Sequence, residues 1–280
     1  MKTTMERIDS HQHFWKYDPA RQSWMTSEMD ILKRDYEPGE LAGLLDECCL
    51  QGTVAVQASQ SEEENDYLLQ LAKKNLIIKG IVGWIDLQSD SVAERLSYYR
   101  SKDKMKGFRH VIHDEPDPDF MLRPAFLKGI KALKYYDYTY DLLIFPVHLP
   151  NTLQLVQRFP DQSFVIDHIA KPRIREHEIE EWKKQLKPVA SLPNVYCKIS
   201  GMVTETYWKK WKREDFVPYL DTIVELFGTK RILYGSDWPV CTLSASYAET
   251  YQIVESYFEK FSIDEQDDFF GLNAKRFYHL

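Results

Sequence analysis

Short runs of β-branched and apolar residues alternate along the whole chain with longer stretches in which apolar side chains recur at helical spacing. This is the pattern of βα units wound around a parallel sheet. It predicts strands over Arg7–Ser10, Thr53–Ala58, Ile77–Ile85, Met105–Val111, Asp141–Pro146, Ser163–His168, Val195–Ser200 and Arg231–Gly235. Helices are predicted between them, among others over Pro38–Gln51, where Leu41, Leu44 and Leu45 share a face, and over Glu62–Lys74, Ser91–Ser101, Pro124–Tyr135 and Asp215–Phe227. No internal repeat and no Gly/Ser-rich linker divides the chain, so the reading is a (β/α)₈ TIM barrel over residues 1–280 as a single domain.

One connection breaks the rhythm. Phe14 to Glu37 is rich in aromatic and charged residues and shows no periodicity. Long structureless loops in compact domains are commonly functional, and this one leaves the first strand at its C-terminal end, where barrel active sites lie. Trp15, Tyr17 and Trp24 can wall a pocket there, or pin the loop to the barrel rim.

Composition narrows the partners. The net charge of −7 is spread along the chain, so no basic face for nucleic acid is expected. Apolar runs such as Leu142–Val147 fall far short of a membrane span. No apolar leader precedes the first strand, and the expectation is a cytoplasmic protein, with a homo-oligomer left open. Cys48, Cys49, Cys197 and Cys241 lack the spacing of a zinc knuckle or a disulfide framework and read as reduced core residues.

Candidate chemistry gathers at strand ends. His11 and His13 are two apart at the end of strand one, and the alternation of a strand points both imidazoles to one side. His148 follows strand five, His168 ends strand six and Asp237 follows strand eight. Polar residues at the C-terminal ends of different barrel strands converge, so His11, His13, His168 and Asp237 are read as one catalytic set. Asp237 can take a proton from water, with histidine or arginine donors stabilising the oxyanion that forms at a carbonyl. The same four suit a single divalent ion such as Zn²⁺. Arg109 offers a donor fork for substrate oxygens, and His110 beside it lies on the opposite face of a regular strand. Together with His148, Trp15, Trp24 and Lys171 they form the substrate-binding candidates. Lys171 fits either an anionic substrate or a helix carboxylate, and Lys198, charged within a strand-like segment, needs a partner if buried. His113, His177 and His279 read as structural.

On these residues the chain resembles the amidohydrolase superfamily, and within it the amidohydrolase 2 branch of sugar-acid lactonases and pyrone-dicarboxylate lactonase. The resemblance spans nearly the whole chain. It is carried by Ile8-Asp9-Ser10-His11-Gln12-His13-Phe14-Trp15, Gly107-Phe108-Arg109-His110, Asp167-His168-Ile169-Ala170-Lys171-Pro172, Lys198-Ile199-Ser200-Gly201 and Tyr234-Gly235-Ser236-Asp237-Trp238-Pro239. It implies a distorted barrel with His11, His13, His168 and Asp237 at the site, Asp237 as the base that activates water, and a lactone carbonyl polarised by the histidines or a metal they hold. Lactones of six-carbon deoxy sugar acids, fuconolactone or rhamnonolactone, are the implied substrates. The branch also contains metal-dependent decarboxylases, and an inactive barrel that binds a sugar acid is the reading from another class. The strand-four lysine that bridges two metals elsewhere in the superfamily has no counterpart in Arg109-His110, and Lys106 lies one alternation too early.

Overall fold

The structure, a computed structural model, describes residues 5–280. Strands β1 (Ile8–Gln12), β2 (Gly52–Val56), β3 (Ile78–Gly83), β4 (Met105–Val111), β5 (Thr139–Leu143), β6 (Phe164–Ile166), β7 (Val195–Ile199) and β8 (Ile232–Tyr234) run parallel and pair in chain order. The sheet closes just beyond β8, where Asp237 N donates to His11 O at 2.8 Å and His13 N to Trp238 O at 2.7 Å. The seam of the barrel is thus built from the segments that carry three of the four predicted catalytic residues.

Among the described residues the helices are α1 (Pro38–Glu47), α2 (Glu62–Lys74), α3 (Val92–Tyr99), α4 (Pro124–Tyr135), α5 (Leu149–Arg158), α6 (Glu180–Ala190), α7 (Val217–Phe227), α8 (Tyr247–Phe258), α9 (Ile263–Asp267) and α10 (Asn273–Tyr278). Local chemistry sets several of their ends. Ser61 caps α2 by accepting from Glu64 N, with Glu62 to Glu64 in the first turn and Lys73-Lys74 in the last, each sign placed where the helix dipole favours it. Ser246 and Glu249 form a reciprocal capping box at the start of α8. Helix α1 ends short of the predicted Gln51 because Cys49 turns to a positive φ. None of the helices among the described residues is long and apolar enough to cross a membrane, and the reading of residues 1–4 as free of a leader falls outside the described residues.

Strand ends differ from the sequence reading where the site begins. Strand β1 runs on to Gln12, so His11 sits within the sheet and His13 at its rim. Strand β6 stops at Ile166 because His168, Ile169, Ala170 and Lys171 take φ values of 53°, 49°, 61° and 49°. A left-handed turn costs roughly 1–2 kcal/mol per residue, and for the β-branched Ile169 it is a rare state. Packing holds it there: Ile169 and Ala170 are buried, and Trp182 of α6 donates its indole N–H to Ile169 O at 2.9 Å.

The barrel floor is closed by the C-terminal helix. Asn273 donates to Ile232 O and Thr229 O at 2.7 and 2.8 Å, and Tyr278 reaches in to donate to Asp141 Oδ2 at 2.8 Å. At the seam the buried carboxylate of Asp9 accepts from His11 N at 3.1 Å, Ser236 N at 2.9 Å and Tyr247 OH at 3.0 Å, tying β1, the segment after β8 and α8 together. Replacing Asp9 by Ala strands three buried donors, and a loss of roughly 3 kcal/mol or more in unfolding free energy is expected in urea denaturation. Asp9→Asn, which keeps a carbonyl oxygen for the backbone donors, should lose clearly less.

Candidate active site

The predicted set meets at the C-terminal mouth of the barrel. His11, His13, His168 and Asp237 are all buried, and one oxygen, Asp237 Oδ1, faces three imidazole nitrogens: His13 Nε2 at 3.4 Å, His168 Nε2 at 3.8 Å and His11 Nε2 at 3.9 Å. Asp237 itself has φ +58°, a conformation that aspartate tolerates better than most side chains and that lies within the hydrogen-bonded seam.

Each imidazole is oriented by a different neighbour. The Nδ1–H of His13 donates to Val56 O at 2.8 Å, which turns the Nε2 edge of the ring towards Asp237. His168 Nδ1 lies 2.9 Å from Ser200 Oγ, and because a hydroxyl can donate or accept, His168 can present either a proton or a lone pair on Nε2. Gly201 makes room for this ring: its φ is +61°, and a Cβ there would lie 2.5 Å from His168 Nδ1.

His11 is held between charges. Its Nδ1 is 3.2 Å from Asp167 Oδ1 and 3.2 Å from Lys198 Nζ, and its Nε2 is 3.2 Å from Arg109 Nη1. Arginine only donates, so the Nε2 lone pair accepts from Arg109 and the ring proton sits on Nδ1, beside the Asp167 carboxylate, while the Lys198 ammonium at the same edge donates to the Asp167 and Asp141 carboxylates and not to the ring. The guanidinium is itself clamped, donating from Nη2 to Gln57 O at 2.5 Å and from Nη1 to Asp167 Oδ2 at 3.1 Å. Lys198 Nζ bridges Asp167 Oδ1 at 3.0 Å and Asp141 Oδ2 at 2.5 Å.

Two carboxylates and two cations thus balance in the barrel interior, with His11 between them. Burial holds the imidazoliums of His11 and His168 well below their ordinary range, so both rings are neutral. Burial opposes ionisation of Asp167 as well, but Lys198, His11 and Arg109 outweigh it and keep the carboxyl well below the usual range. Burial likewise works against Asp237, whose pKa is nevertheless lowered by its histidine neighbours and Lys171, so it stands ready as a carboxylate. Asp141 is pushed up to about 6, burial exceeding the pull of Lys198.

A cavity of about 350 Å³ opens above this floor. His13, His168, Asp237, Arg109 and Lys171 supply polar groups to its wall, while Trp15, Trp24, Leu143 and Trp208 supply apolar ones. Trp15 both walls the cavity and pins the long loop, since it is buried and donates Nε1 to Arg34 O at 2.9 Å. Trp24, half-exposed, meets it edge to face. Tyr17 is not among the lining residues. Lys171 lines the cavity and also has a helical carboxylate as partner, pairing at 2.7 Å with Glu205 of the short 3-10 turn Val203–Glu205.

Two of the substrate-binding candidates lie elsewhere. His110 points out of the barrel, as alternation from Arg109 requires, accepts from Trp84 Nε1 at 3.2 Å, contacts Glu115 at 2.6 Å and stacks on Phe120. His148 follows the end of β5 by a short helical turn and accepts from Phe145 N at 3.1 Å. His113, read as structural, stacks on Phe145 and also lines the cavity, and burial pulls its pKa down to about 3. The structural roles of Asp141, Asp167 and Ser200 went unassigned by the sequence. The signal for the first two was the one already noted for Lys198, a charge inside an apolar strand segment. Lys106, as expected, is remote, donating to His279 O at the other end of the barrel.

Two compact sets of donors could hold a metal among the described residues: His11, His13 and Asp237, and His11, Asp167 and His168. Imidazole and carboxylate suit Zn²⁺ in donor type, and both sets draw on His11, whose Nε2 accepts from Arg109.

The amidohydrolase family model matches residues 8–280. The chain belongs to the amidohydrolase family of enzymes. Among similar proteins is the L-fucono-1,5-lactonase of Burkholderia multivorans, 38% identical over 98% of this chain and 96% of its own. That of Burkholderia ambifaria is 34% identical over the same shares. Crystal structures of an amidohydrolase from Burkholderia multivorans, one with bound HEPES and one with bound Zn, superpose with a TM-score of 0.94 at 38% identity, covering 98% of this chain and 99% of that one. Within the family frame, Gly201→Ala should force the His168 ring aside, lowering turnover by about tenfold or more while costing stability on the order of 1–2 kcal/mol. Parallel turnover and thermal denaturation measurements check both.

Proposed function

We propose that the chain hydrolyses sugar-acid lactones, with L-fucono-1,5-lactone and related lactones of six-carbon deoxy sugar acids as the preferred substrates. The observation that carries this reading is the convergence of three oriented imidazoles on Asp237 Oδ1 at the floor of the cavity. The lactone relatives, similar over nearly their whole length, supply the substrate class. A cavity of about 350 Å³ holds a monosaccharide lactone with room for water, and its mixture of donors and indole faces suits a hydroxyl-rich ring that also has an apolar side.

In this reading a water between Asp237 and the lactone carbonyl gives its proton to Asp237 Oδ1 as its oxygen attacks. His168 Nε2–H, available when Ser200 donates to Nδ1, and the Lys171 ammonium stabilise the oxyanion. The tetrahedral species collapses with cleavage of the ring C–O bond, the proton held by Asp237 passes to the departing ring oxygen, and the open hydroxy acid ionises and leaves. A divalent ion held by His11, His13 and Asp237 would supply Lewis-acid polarisation of the carbonyl or of water when bound.

Acid release from L-fucono-1,5-lactone, followed with a pH indicator, tests the reading. Asp237→Asn should lower kcat by about 10³-fold with KM changed only a few-fold, the mark of a group acting in the transition state. A panel of aldonolactones that releases no acid with the purified chain overturns it.

A further inference from the structure

His11 is the residue on which both compact donor sets depend, and its environment is unlike that of a ring waiting for a metal. Its Nε2 lone pair accepts from Arg109 Nη1 at 3.2 Å. The guanidinium cannot drift away easily, because Gln57 O and Asp167 Oδ2 hold its other donors and the side chain is buried. On the other side of the ring the ammonium of Lys198 lies 3.2 Å from Nδ1 and 3.0 Å from Asp167 Oδ1. The places beside His11 and Asp167 where a cation would be stabilised are therefore filled by the chain's own cations.

We propose that Arg109 and a divalent cation are alternative partners of His11 Nε2, so that Arg109 acts as a built-in competitor that keeps the site from retaining a metal tightly. One lone pair cannot serve both. A metal entering beside His13 and Asp237 must displace a clamped guanidinium and stand within a few ångströms of a full positive charge, where like charges repel strongly. Lys198, paired with Asp141 and Asp167 on the far side of the ring, closes the second donor set in the same way. The inference concerns metal occupancy and does not depend on the lactone reading, since zinc binding is read directly.

The test is calorimetric zinc titration of the full chain after metal stripping, with thermal denaturation confirming that each variant is folded. Arg109→Met frees His11 Nε2 while leaving Asp167 paired with Lys198, and zinc affinity should rise by at least about tenfold. Lys171→Met is the control: it also removes a cation from the cavity wall and leaves the Glu205 carboxylate behind, but it touches no histidine lone pair, and its affinity should change by less than about threefold. An unchanged affinity in Arg109→Met, or an equal gain in Lys171→Met, overturns the proposal. Should Arg109→Met fail to fold, the wild-type chain decides: zinc lost on dialysis against metal-free buffer supports the competition, and one equivalent retained through that dialysis refutes it.

Discussion

The buried carboxylate of Asp167 is the constraint on which the interior of this barrel depends. A single ionised carboxyl in that position would be costly, and it is sustained by contact with Lys198, Arg109 and the Nδ1 edge of His11. Lys198 in turn is matched by Asp141, and Asp141 by the hydroxyl of Tyr278 from the C-terminal helix. The charges arise on β4, β5, β7 and the turn after β6, so removing one partner leaves another buried without compensation, the situation in which ion pairs matter most. The same array gives His11 its tautomer, and so links the packing of the barrel floor to the chemistry at its mouth.

Strain is concentrated above this array. The left-handed stretch from His168 to Lys171 and the positive φ of Asp237 put unfavourable backbone at the residues that face the cavity. Such outliers persist only where the surroundings over-determine them. Here Trp182 holds the carbonyl of Ile169, and the seam hydrogen bonds to β1 hold Asp237 and Trp238. The turn brings His168 and Lys171 into one cavity wall, from which Lys171 reaches Glu205.

The long loop after β1 completes the enclosure. Its two ends pair through Trp15 and Tyr36, and the indole of Trp15 packs between Tyr36 and Trp24. A rigid aromatic wall on one side and a polar floor on the other give a site that can orient a ring with one apolar and one hydroxylated edge.

Much of this was legible along the chain. The alternation of apolar runs and helical faces determined the barrel, because strand and helix periods differ and each segment fits one of them. Strand alternation also placed His11 and His13 on one side and separated Arg109 from His110. The convergence of His168 and Asp237 on that pair followed from the rule that strand C-terminal ends meet. Tertiary structure alone decided the rest. Whether His148 or His113 reaches the cavity depended on where β4 and β5 end and turn, which local pattern specifies poorly. The partners of Lys198 and Arg109 lie 57 and 58 residues away in Asp141 and Asp167, and a salt bridge across a barrel leaves no mark in local sequence. The proton position on His11 is fixed by three side chains from three different elements, and only the closed barrel brings them within hydrogen-bonding reach.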